Sequence, residues 1–155
     1  MQDPSLIIQN HEYWRFLTAM FLHLSLIHIA LNMLSLFFIG RFIEVMYGPW
    51  RYLLIYLVSG IVGGIATFIL SPLPAAGASG AIFGIFGAMG AFYFLNRQTL
   101  GVYSRGAISQ WVFWLVLNLV WGFSGGIAIW DHIGGLVAGL ILGWLLLPKM
   151  GGRSS

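Results

Sequence analysis

Four residues, Gly77-Ala78-Ser79-Gly80, stand where a loop holding Pro72 and Pro74 gives way to an apolar helix pattern. A serine hydroxyl at the head of a helix, between glycines that let another backbone come close, has the setting a nucleophile needs. Clusters of small residues also serve packing alone in membrane helices, so the serine needs a base from elsewhere in the chain. His132 is the candidate, acting as general base and then as general acid. Asp131 directly precedes it, but adjacent helical residues do not face one another, which favours a Ser-His dyad over a triad. His28 and Asn32 are four apart and share one helix face. With the Ser79 backbone N–H, they suit the stabilisation of a developing oxyanion. Phe83 lies one turn after Ser79 and can stack on His132. Metal chemistry fits poorly: His23 and His28 are five apart and no His-Glu-x-x-His pattern occurs, so neither a metal nor a cofactor is expected.

These groups must be positioned by helices in a bilayer. Of 155 residues, 59% are hydrophobic and 7% charged, against about a quarter charged in soluble domains. The chain reads as an all-α, polytopic transmembrane helix bundle forming one domain over residues 1–155. The basic residues are scattered without a run, which argues against nucleic acid as a partner and leaves the lipid bilayer. Residues 1–22, with Tyr13, Trp14 and Phe16, read as an interfacial segment. Spans are expected near 25–46, 50–70, 79–95, 108–129 and 131–148, with a polar tail at 149–155. Six of the seven basic side chains, namely Arg41, Arg51, Arg97, Arg105, Lys149 and Arg153, fall at one end, which is expected to be cytoplasmic.

Helices separated by one return crossing run in the same direction. His28 near the start of the first span, Ser79 at the start of the third and His132 at the start of the fifth therefore share the opposite membrane face. The third span, about seventeen residues, covers only ~26 Å, so Ser79 is expected in a wet recess below the surface. Gly80, Gly84 and Gly87 line one helix, and Gly135, Gly139 and Gly143 another. Docking these faces brings Ser79 and His132 together. Packing accounts for the glycines but not for the polar residue at the head of each face.

The runs HLSLIHIALN (His23, His28, Asn32), GASGAIFG (Gly77 to Gly80) and DHIGGLVAG (His132) together resemble the catalytic core of the rhomboid intramembrane serine proteases. Trp14-Arg15 resembles the Trp-Arg of the loop before that family's second helix, and Glu44 with Gly48 resembles the end of that helix. The resemblance implies a serine endopeptidase that cuts transmembrane segments of other membrane proteins at or just inside the outer face. It implies Ser79 as nucleophile, His132 as base, His28 and Asn32 as oxyanion donors, Phe83 as the ring against the histidine, and a structural His23. Gly77, Gly80, Gly135 and Gly139 are expected to support them. The family core has six spans, of which this sequence is expected to carry five, the helix before the Trp-Arg loop being missing. A bacterial or archaeal plasma membrane is expected, with the site open to the extracytoplasmic side. A catalytically silent protein of the same fold that binds transmembrane helices is the alternative. A transporter is a third reading, but only Arg41 and Glu44 are charged within the spans, near a helix end where snorkelling suffices.

Overall fold

The computed structural model describes residues 4–71, 74–124 and 129–148, apart from the side chains of 121–124. The expected tail at 149–155, with Lys149 and Arg153, lies outside the described residues, as does Pro72. Every described element is helical. In chain order these are α1 (Pro4–Gln9), α2 (Arg15–Thr18) with a 3-10 turn at Ala19–Phe21, α3 (Leu26–Ser35), a π-helical stretch (Leu36–Gly40), α4 (Arg41–Tyr47), α5 (Pro49–Leu70), α6 (Ser79–Leu95), α7 (Arg97–Leu100), α8 (Tyr103–Ser124) and α9 (Ile129–Leu146).

The run Leu26–Tyr47 is continuous through the π stretch, and it, Pro49–Leu70 and Ile129–Leu146 are each long and apolar enough to cross a membrane. Ser79–Leu95 is a shorter apolar helix of 17 residues. These bounds match the expected first, second, third and fifth spans to within two residues at each end. The fourth differs: α8 begins at Tyr103 rather than near 108, and 125–128 are outside the described residues. Hydropathy marks the hydrocarbon-facing part of a helix, and Ser104 and Arg105 hid its first turn.

Turn chemistry sets the junctions. Gly48 has φ +82, a left-handed conformation that ends α4, and Pro49 occupies the first turn of α5, where its missing N–H costs nothing. The tightest packing is among α5, α6 and α9, with α6 against α9 the most extensive contact. Outside this trio α3 presents Leu26, Ile27, Leu31, Phe37 and Phe38 outward with its π stretch, an apolar surface suited to lipid. The N-terminal segment turns Ile7, Ala19 and Met20 inward, and Phe16 meets Phe68 of α5 edge-on at 5.6 Å. Arg15 pairs with Glu12.

Two aromatic side chains fasten the outer helices. Trp111 Nε1 of α8 donates to the Phe86 carbonyl at 2.8 Å, with its ring over Gly90. The Tyr47 hydroxyl, 1% exposed, lies 3.1 Å from both the Ala88 and the Gly143 carbonyl oxygens and so joins α4, α6 and α9 at the end remote from Ser79. Tyr47→Phe removes this junction and is expected to cost about 1–2 kcal/mol. Unfolding in mixed micelles measures it, and an unchanged midpoint would show that the hydroxyl contributes nothing.

Candidate active site

The site is assembled where α3, α6 and α9 all begin. α6 starts at Ser79, two residues after Gly77, whose φ of +123 only glycine adopts readily. A Cβ on Gly77 would lie 2.7 Å from His28 Cε1, 2.9 Å from His28 Nε2 and 3.7 Å from Asn32 Nδ2. Glycine is therefore required at this position twice, by backbone conformation and by the two side chains that fill the space beside it. The loop is held from the other side by the Gly77 N–H, which donates to the Ala19 carbonyl at 2.9 Å.

His28 and Asn32 reach the loop together because they sit one turn apart on α3, which Ser25 caps by accepting the His28 backbone N–H at 3.1 Å. Asn32 is 7% exposed and its Nδ2 is buried without a hydrogen-bond partner. A buried amide donor left unpaired costs free energy, so this atom is a ready donor for an incoming oxygen. His23 lies behind the pair, its ring edge-on to that of His28 at 5.2 Å.

Asp131 and His132 occupy the first turn of α9. His132 is buried, stacks on Phe83 at 4.2 Å with a 12° interplanar angle, and has both ring nitrogens without a partner. The Ser79 hydroxyl donates to Asp131 Oδ2 at 3.3 Å. The expected hydrogen bond from Ser79 to His132 is thus not made; the serine is turned to the neighbouring carboxylate. Reasoning from adjacency correctly separated Asp131 from His132 but did not find its contact with Ser79. The signal lay in other helices: a Cβ on Gly80 would come 2.5 Å from Asp131 Oδ1 and one on Gly63 2.8 Å from the same oxygen, so these glycines shape the niche that holds the carboxylate.

The glycine faces dock as their spacing suggests. A Cβ on Gly135 would overlap the Gly80 carbonyl oxygen, and one on Gly139 the Gly84 carbonyl oxygen. With α6 and α9 parallel and in backbone contact, Ser79 and the Asp131-His132 pair meet at one end of the bundle. Three helix N-termini point their partial positive charge into this region, a favourable setting for a developing negative charge. Phe83 also lines a cavity of about 400 Å³ that extends between α3, the π stretch, α6 and α8, with Phe38, Ile39, Phe86, Trp114 and Asn118 on its walls. Asn118 bonds its own Trp114 carbonyl at 2.7 Å, satisfying its amide without a neighbour.

The family model of the Rhomboid domain matches residues 10–149. The chain is 43% identical over 152 residues to the Rhomboid protease GluP of Bacillus subtilis (strain 168), covering 97% of this chain and 29% of that protein. To RHOMBOID-like protein 2 of Arabidopsis thaliana it is 38% identical over 152 residues, covering 96% of this chain and 48% of that protein. It is also 34% identical over 146 residues to the Inactive RHOMBOID-like protein 8 of Arabidopsis thaliana, covering 92% of this chain and 41% of that protein. The chain therefore spans less than half the length of these three relatives.

Proposed function

This chain belongs to the rhomboid family and is an integral membrane protein, and we propose that it is a serine endopeptidase working inside the bilayer. Its substrates are transmembrane segments of other membrane proteins. In this reading Ser79 Oγ attacks the scissile carbonyl while His132 takes the hydroxyl proton. The proton then passes from His132 to the departing amine, leaving an acyl group on Ser79 that water removes with His132 again as base. His28, Asn32 and the Ser79 backbone N–H hold the oxyanion. Turnover in this reading requires the Ser79 side chain to rotate from Asp131 toward His132.

The observation that carries this reading is a set of unspent polar atoms at one helix-end junction. Asn32 Nδ2 and both His132 nitrogens are buried and unpartnered beside a serine at the mouth of α6. Buried polar groups are ordinarily hydrogen-bonded, so unpaired atoms gathered around one serine suit an incoming substrate. The cavity beneath Phe83, bounded by apolar side chains, fits an extended or unwinding segment arriving from lipid. By the basic-residue bias the site opens to the extracytoplasmic side, and a bacterial or archaeal plasma membrane suits it.

A second reading is a rhomboid-like protein that holds transmembrane helices without cutting them. One observation favours it: the serine hydroxyl is bonded to Asp131 and not to His132. Co-reconstitution in liposomes with a single-pass substrate decides between them. Fragments whose new termini map within or beside the substrate's transmembrane segment support the protease, whereas bound but intact substrate supports the second reading. Within the same assay, Asn32→Ala is expected to lower kcat by about 10–1,000-fold with little change in KM, as for removal of an oxyanion donor. A wild-type kcat would exclude that role.

A further inference from the structure

Asp131 is a buried carboxylate within an apolar helix pair, and the dyad mechanism gives it nothing to do. It is 7% exposed. Ionisable groups at such depth in a membrane protein persist where they have a task and a partner. Its partners are specific. The Ser79 hydroxyl donates to Oδ2 at 3.3 Å, and the carboxylate lies against Gly80, where a Cβ would come 2.5 Å from Oδ1.

Those contacts have a common geometry. α6 begins at Ser79 after Ala78, and no side chain caps it from within its own sequence. Gly80 is its second residue, so its N–H is one of the donors a helix leaves unpaired at its start. The Asp131 carboxylate of α9 lies beside this uncapped turn. Asp131 also lies in the first turn of α9 itself, so its carboxyl group sits between the positive ends of two helix dipoles. Gly63 and Gly80 leave room for it: a Cβ on Gly80 would come within 2.5–2.7 Å of both carboxylate oxygens, and one on Gly63 2.8 Å from Oδ1.

We infer that Asp131 is a positioning residue: it caps the serine helix from the histidine helix and so fixes Ser79 at the level of His132. This inference rests on the protease reading above and adds to it a tether between the two elements that carry the dyad. Glycine contacts set how closely α6 and α9 approach but resist sliding weakly, because a glycine face offers few interlocking side chains. A polar anchor at the top of the interface fixes the remaining axial freedom, and misplacement of a nucleophile by about 1 Å is worth on the order of 100-fold in rate.

The test compares the unsubstituted chain with Asp131→Asn, Asp131→Ala and Ser79→Ala, each reconstituted in liposomes with a single-pass substrate. Asparagine keeps the volume and one acceptor oxygen but loses the second; alanine loses both. kcat is expected to fall about 5–10-fold in Asp131→Asn and about 100-fold in Asp131→Ala. KM is expected to stay within about twofold, because the cavity lining that would hold substrate contains no atom of Asp131. If Asp131→Ala fails to fold, the isosteric Asp131→Asn decides alone through kcat and the rate at which a fluorophosphonate labels Ser79. Turnover by Asp131→Asn at the unsubstituted rate, or a loss expressed in KM instead of kcat, overturns the inference. The two readings fail separately: cleavage by Ser79→Ala at the unsubstituted rate refutes the serine mechanism with Ser79 as nucleophile, whereas a silent Ser79→Ala beside fully active Asp131 variants refutes only the tether.

Discussion

Replacing Ser79 with Ala is expected to abolish cleavage of a transmembrane substrate, a loss on the order of 10⁴–10⁶-fold in kcat. The hydroxyl is the atom that becomes acylated, and nothing else at the head of α6 can take its place. The neighbours on that turn are Ala78 and Gly80, and the remaining polar groups are a carboxyl, two imidazoles and an amide suited to moving protons or donating hydrogen bonds. Residual catalysis would come from the oxyanion donors acting on water. The fold should survive, since the substitution removes one hydrogen bond of 3.3 Å to Asp131 from a partly exposed side chain. Such a loss is worth roughly 0.5–1.5 kcal/mol. Initial rates on a single-pass substrate, read beside the unfolding midpoint of each protein, make the comparison. Cleavage at the original rate by a folded Ser79→Ala protein would contradict the nucleophile assignment.

The second large effect is expected far below the serine, at Gly139. A Cβ there would overlap the carbonyl oxygen and carbon of Gly84, which are backbone atoms with no rotamer to yield. Gly139→Val must push α9 away from α6, at a cost of about 1–3 kcal/mol or more for overpacking, a substantial share of a typical total stability of about 5–15 kcal/mol. Separation along this seam also moves His132 relative to Ser79. A loss of about 100-fold in cleavage is expected even under conditions where the protein stays folded. Gly106→Val is the matched control, because a Cβ there meets nothing within 4 Å. It is expected to retain activity, with stability changed by under about 0.5 kcal/mol. Equal activity in the two variants would show that the docked glycine faces do not align the site.

Much of this arrangement was legible in residue spacing. Hydropathy delimited Leu26–Tyr47, Pro49–Leu70, Ser79–Leu95 and Ile129–Leu146 closely, because bilayer thickness imposes the length of an apolar run. Strand-like patterns were absent, and the parity of crossings then put His28, Ser79 and His132 at one end without any knowledge of contacts. The period of Gly135, Gly139 and Gly143 gave the face on which α9 meets α6, and the four-residue step from Ser79 to Phe83 gave the ring stacked on His132.

What escaped sequence reasoning depends on side chains meeting across helices at angles no one-dimensional spacing encodes. Asp131 is the chief instance: position on α9 shows only that it points away from His132, and its niche is made by Gly63 and Gly80 on two other helices. Tyr47 likewise reads as one more interfacial aromatic until its hydroxyl is found between the Ala88 and Gly143 carbonyls. The π stretch Leu36–Gly40 has no compositional mark at all; LFFIG would read equally well as regular helix. The early start of α8 was hidden because a helix may continue past the hydrocarbon, where Ser104 and Arg105 are no obstacle.

The most direct measurement is covalent labelling of the reconstituted protein by a fluorophosphonate, with the modified residue identified by mass spectrometry, in the unsubstituted chain and in His132→Ala. A serine activated by an imidazole at the shared mouth of α6 and α9 predicts adduct on Ser79 in the first protein and labelling slower by at least about 100-fold in the second. No adduct on Ser79 in folded protein, or labelling of equal speed without the His132 ring, would contradict the account.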